Sequence, residues 1–247
     1  MTNRKKLYVS ITLFIILALS IWFIILDFSR FYSQNYSYDI YPSALLKRIN
    51  VLLAAFIAWV IGKDGLSLKD SRRMKAAFIF IILGEAAFAI GERVFGVGMF
   101  AVCQTLLIVR NSTGIKYKLK HASNKQKKML IISSAIVVLI IAVFSFLFAS
   151  FIKVFSIALA IYIYGIILSI SLWSGLASCI LALLPKMNSV MAAVGMICFY
   201  CCDVLVGLDA AMEVGFPWLL VNSFIWIFYI PALVLLALSC YKYNKIQ

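Results

Sequence analysis

The chain has 247 residues, 65% of them hydrophobic and only 13% charged, with a mean hydropathy of +1.05. A soluble domain is about half apolar and a quarter charged, so no water-soluble fold hides this much apolar surface, and lipid is the expected solvent. The net charge of +14 would suggest nucleic acid on a soluble protein. Here the basic residues gather in polar segments between apolar runs, which argues against that partner and points to a membrane topology attracted to anionic headgroups.

At roughly 20 residues per helical span, the chain holds about eight spans and leaves no room for a separate soluble domain. The ~10-residue alternating strands of a membrane barrel are absent. The expected architecture is therefore all-α: one polytopic transmembrane domain over residues 1–247.

After a short basic start, the first apolar run covers residues 7–27. It is long for a signal-peptide core and no small-residue cleavage site precedes Asp27, so it reads as a retained span. A Tyr- and Ser-rich loop suited to a membrane interface follows up to Pro42. The second span is residues 43–62, with Lys47, Arg48 and Asn50 near its start. A basic loop leads to the third, 76–91, which contains Glu85, and a tight connection at Glu92–Arg93 leads to the fourth, 94–109. These two read as a helical hairpin. Arg110–Lys128 reads as a basic loop, then come the fifth span, 129–151, and a long apolar run whose span is 154–178. A turn at Pro185–Asn188 precedes the seventh span, 189–208, which holds Asp203, and the eighth is 218–241.

Of the 23 Lys and Arg residues, 18 fall on one side of this topology. That asymmetry predicts cytoplasmic N- and C-termini in a multi-pass protein of the cell membrane, and it supports an even span count. The six cysteines lie in apolar stretches, and His121, in a basic loop, is the single histidine. Neither zinc spacing nor a disulfide framework is present, and no cofactor motif appears.

A charge near the centre of a membrane helix costs at least ~2.5–3.5 kcal/mol and usually faces the protein interior. Glu85 and Asp203 fall at similar depth in the outer thirds of their helices, where they can meet in one cavity. Lys47 and Arg48 enter from the same side and can pair with them or meet a substrate phosphate. Gln104, Tyr164, Asn222 and Tyr229 fall at comparable depth, with Asn222, Trp226 and Tyr229 on one helix face. Together these groups suggest a polar pocket opening toward the outer leaflet. A buried ion pair that locks helices together is the competing structural reading.

At these residues the chain resembles the YhhN-like family, the lysoplasmalogenases. The resemblance rests on Gly84-Glu85, where the family has Gly-Asp, and on Gly96, Phe100, Gln104 and Leu107 in the fourth span. It continues with Tyr164, Ser171, Trp173 and Gly175, with Gly195, Phe199, Cys202 and Asp203, with Lys47-Arg48 opening the second span, and with Phe228-Tyr229 through Leu238-Ser239. Glu85 stands for Asp, Gln104 for His and Cys202 for Ser, and a Gln expected near Leu233 is missing. The resemblance implies an eight-helix enzyme that hydrolyses the vinyl-ether bond of lysoplasmalogens to a fatty aldehyde and a glycerophospho-alcohol, with a lysophospholipid as substrate and membrane lipids as surroundings. Vinyl ethers hydrolyse by protonation at carbon, then capture of the oxocarbenium ion by water. Two carboxyl groups in a poorly solvated pocket suit that chemistry, one as acid and one as base. The alternative is a non-catalytic lipid-binding or transport protein of the same fold.

Overall fold

The computed structural model describes residues 2–33, 42–149 and 155–243, without the side chains of 144–149 and 155–161. Most of the loop before Pro42, and also Lys153 and Lys245, lie outside the described residues. Among those described, no strand forms. The apolar runs become α1 (Asn3–Ser33), α2 (Ser43–Ile61), α3 (Leu68–Ala89), α4 (Arg93–Asn111), α5 (Ile115–Lys120), α6 (Asn124–Ala149), α7 (Phe155–Ile180), α8 (Lys186–Ala211) and α9 (Phe216–Leu238).

Most helices outrun the apolar segments that announce them. α3 starts eight residues before residue 76, because Ser67 caps it: its Oγ accepts the Asp70 N–H at 3.1 Å. The region 110–128, expected as a loop, contains the whole of α5 and the first turn of α6. The α3–α4 connection turns at Gly91, whose φ of +86° is cheap only for glycine.

Seven of the described helices are long and apolar enough to cross a membrane: α1, α2, α4, α6, α7, α8 and α9. α3, the third expected span, is the long helix that is not among these seven. Lys69, Asp70, Arg72, Arg73 and Lys75 crowd its first two turns and Glu85 lies near its far end, so it fails on composition although it packs between α2 and α4. The protein is an integral membrane protein built as an all-α bundle.

Six helices form a closed ring. α2, α3, α4, α7, α8 and α9 each pack on the next, and α9 returns to α2. α1 lies outside against α2 and α9, and α6 lies outside against α7. The outward faces of α1 and α6 carry exposed Phe14, Trp22, Ile131 and Leu139, as a lipid-facing surface should. Inside, Ile57, Phe78, Met196 and Phe199 are fully buried.

The α3–α4 hairpin packs by reciprocal glycine notches. A Cβ added at Gly84 would lie 2.7 Å from the Phe100 ring, and one at Gly96 would lie 2.6 Å from the Phe88 ring. The two rings stack with centroids 5.7 Å apart. Such close approach through small residues drives helix association in lipid. Gly84→Ala and Gly96→Ala are each expected to destabilise by about 1–3 kcal/mol through overpacking, read as a lower melting temperature in detergent. Gly98→Ala, where a Cβ meets nothing within 4 Å, should leave it unchanged.

Successive helices run up and down, so their ends collect in two groups. At one end, Lys5 pairs with Asp64 at 2.7 Å, the Leu66 N–H donates to the Cys240 carbonyl at 2.9 Å, and Asn188 Nδ2 donates to the Ser239 and Tyr241 carbonyls at 2.8 and 2.6 Å. The N-terminal helix, the α2–α3 loop, the α7–α8 turn and the chain end after α9 therefore meet at this basic end. At the opposite end, Lys47 pairs with Asp27 at 2.6 Å, and Asn222 donates to Asp209 at 3.1 Å.

Candidate active site

Four helices of the ring contribute to one polar cluster in the half of the bundle away from the basic end. α3 supplies Glu85, one turn before its C-terminus. α8 supplies Asp203, and the two carboxyl groups are close enough to interact electrostatically. α7 supplies Tyr164, whose Oη donates to Asp203 Oδ2 at 2.5 Å. α9 supplies Tyr229, whose hydroxyl lies near the Glu85 carboxyl but makes no hydrogen bond of good geometry among the described residues. The site thus consists of the Asp203–Tyr164 pair with Glu85 and Tyr229 close by. Arg48 of α2 is near enough for its positive charge to act on Glu85.

Helical spacing explains the convergence. Gly195, Phe199 and Asp203 recur every fourth residue on α8, as do Gly96, Phe100 and Gln104 on α4, so each set shares a face. Those faces turn inward: Phe199, Phe100 and Tyr229 pack edge to face, with Phe199–Tyr229 centroids 5.6 Å apart and Phe100–Tyr229 centroids 6.3 Å apart. This aromatic floor lies beside the acids. Glu85, Asp203 and Tyr164 are only half-buried, while Tyr229 is 3% exposed. The reactive groups are thus enclosed by the bundle without being sealed in it.

Other residues singled out in the sequence stand elsewhere. Lys47 does not pair with Glu85 or Asp203. Its ammonium is bound to Asp27 of α1, with the Phe23 and Trp226 rings 5.7 and 5.5 Å away. Ser43 Oγ donates to the other Asp27 oxygen at 2.6 Å. A buried cation needs such compensation, and Asp27, read only as the end of the first span, supplies it. Asn50 donates to Ser20 at 3.3 Å and ties α1 to α2. Asn222 ties α9 to the end of α8 through Asp209. Gln104 is fully buried and its backbone carbonyl accepts from Ser171 at 3.4 Å. Its side-chain amide has no hydrogen-bond partner among the described residues.

Two cysteines belong to the neighbourhood. Cys103 of α4 lies near Asp203, Tyr164 and Tyr229, and Cys202 lies near both acids. Cys103 was not legible as a site residue, since a buried cysteine on an apolar helix resembles any small core residue. Among the described residues, no three His, Cys, Asp or Glu side chains are placed to hold a metal ion together. Within the same set, the close ion pairs involve Asp27, Asp64 and Asp70 and not the two acids of the cluster. Chemically, the cluster can give and take protons at two carboxyl groups a short distance apart, beside an apolar wall and a cation.

The family model described as the YhhN family matches residues 43–240. No curated protein and no solved structure matches the chain.

Proposed function

This chain belongs to the YhhN family, and from that membership we propose that it is a membrane-embedded hydrolase acting on the vinyl-ether bond of lysoplasmalogens. The observation that carries the reading is the approach of Glu85 and Asp203, each facing a tyrosine hydroxyl, in a half-buried cluster next to an aromatic wall. One carboxylic acid protonates the vinyl carbon distal to the ether oxygen, and the resulting oxocarbenium ion is stabilised by the other, ionised carboxylate. Water adds to that cation while the carboxylate takes its proton. The hemiacetal then collapses to a fatty aldehyde and a glycerophospho-alcohol. The aromatic floor of Phe100, Phe199 and Tyr229 suits the alkenyl chain. Arg48, whose charge reaches Glu85, is the cation we assign to the substrate phosphate. Lys47, held by Asp27, serves structure instead.

The test is aldehyde release by the purified protein from a lysoplasmalogen in detergent or nanodiscs. Aldehyde formation supports the hydrolase. Flux that depends on a pH gradient, without aldehyde, replaces it with the transport reading.

We also propose that the basic end faces the cytoplasm and that the protein resides in the cell membrane. Lys and Arg concentrate at the end where Lys5 and Lys242 both meet Asp64 of the α2–α3 loop. Reporter fusions after Lys128 and after Gln247 should both read cytoplasmic, and one after Asp209 should read external. An external signal at Gln247 overturns the orientation.

A further inference from the structure

We propose that the basic end of the bundle carries a second binding site, for a phosphate-bearing anion, between the start of α3, the end of α4 and the α7–α8 turn. A cavity of about 130 Å³ opens there. That is room for one phosphate group, given that a water takes up about 30 Å³ in the liquid. Its lining includes the cations Lys69, Arg73 and Arg110 against a single acid, Asp70.

The charges do not cancel within the cavity. Arg110 is 1% exposed and its guanidinium is bound by Asp70, with Nε to Oδ1 at 2.8 Å and Nη2 to Oδ2 at 3.3 Å. That pair is neutral as a unit and forms the floor. Lys69 and Arg73 are left as a net positive rim. Arg73 is also held in position. Its Nη1 donates to Thr113 Oγ1 at 2.8 Å and weakly to the Val109 carbonyl at 3.4 Å, so its Nε and Nη2 can turn to a ligand without further ordering. A guanidinium fixed in this way recognises phosphate through paired N–H groups. The hydroxyls of Ser67 and Thr113 also line the space, and Ser67 caps α3, so the positive end of that helix dipole adds to the field. Leu183 and Leu184 supply an apolar side.

This cavity is not the polar cluster. Asp70 and Glu85 are fifteen residues apart on α3, a separation of about 22 Å at 1.5 Å per residue. A phosphate in this cavity can come from the headgroup of an anionic lipid or from a free phosphate ion. The site recognises the group common to both.

The test is native mass spectrometry of the purified full chain with phosphatidylglycerol or phosphatidylcholine, and with inorganic phosphate as competitor. Both rim cations lie outside the packed core, so Lys69→Gln/Arg73→Gln should fold. Wild type should retain phosphatidylglycerol at least tenfold better than phosphatidylcholine, and the double variant should lose that preference. Lys116→Gln, on exposed α5, should keep it, which separates the cavity from general surface charge. Displacement by millimolar inorganic phosphate identifies the ion itself as sufficient. Variant-sensitive retention without displacement identifies the lipid headgroup. Equal retention of phosphatidylglycerol by wild type and the double variant overturns the proposal.

Discussion

Asp203→Asn and Glu85→Gln are each expected to lower the rate of aldehyde release by about 10²–10⁴-fold, the usual contribution of a positioned acid or base, while the melting temperature in detergent stays near that of the wild type. The amides keep the size of the acids and can still meet Tyr164 and Tyr229, but they cannot exchange a proton at working pH. The structural alternative predicts the reverse. If either acid were half of a helix-locking ion pair, neutralising it would strand a buried charge at a cost of roughly 3–5 kcal/mol, and folding would fail with activity. The geometry favours the first outcome. The partner of Asp203 is a phenol at 2.5 Å, and the close ion pairs among the described residues are made by other acids. Glu85→Asp, which restores the family's residue, should remain active. Full activity in both amide variants would remove the proposed chemistry.

What was legible in the sequence follows from which forces act locally. Hydropathy marks where a chain can lie in lipid, and the helices α2, α4, α8 and α9 coincide with apolar runs to within a few residues. It is blind to helix that continues into the polar region, so the charged first turns of α3 and the short α5 look like loop in the sequence. α3 itself extends well before the apolar segment 76–91, with Arg72, Arg73 and Lys75 in its first half. In the candidate site, the depth of Glu85 and Asp203 on their helices was readable, because depth follows from counting residues at 1.5 Å each. Partners across the bundle were not readable. Which tyrosine meets which acid, and that Lys47 turns to Asp27 rather than to Glu85, depends on the ring order of the helices. No local pattern encodes that order. Arg110 shows the limit most clearly: by sequence it is one cation among many in a basic loop, yet it is among the largest fully buried side chains.

That burial yields the largest expected effect on stability. Asp70→Asn and Arg110→Met should each destabilise the protein by roughly 3–5 kcal/mol, because each leaves the other member of a buried pair uncompensated. Arg110 joins three helices. Its Nε and Nη2 bind Asp70 of α3, its Nη1 donates to Ser239 Oγ at 2.9 Å, and its Nη2 donates to the Ser239 carbonyl at 3.0 Å, just past the end of α9. Asn188 of α8 donates to the same carbonyl at 2.8 Å, so four ring helices end on one connected set of hydrogen bonds. Asn188→Ala should cost less, since it removes a neutral donor and strands no charge. The double variant Asp70→Asn/Arg110→Met should lose less than the two single losses combined, because neither partner is then left charged and alone. Thermal melts of the four proteins in one detergent check this. Additive losses would mean that the two side chains act independently, and the network would then not be what closes the basic end of the ring.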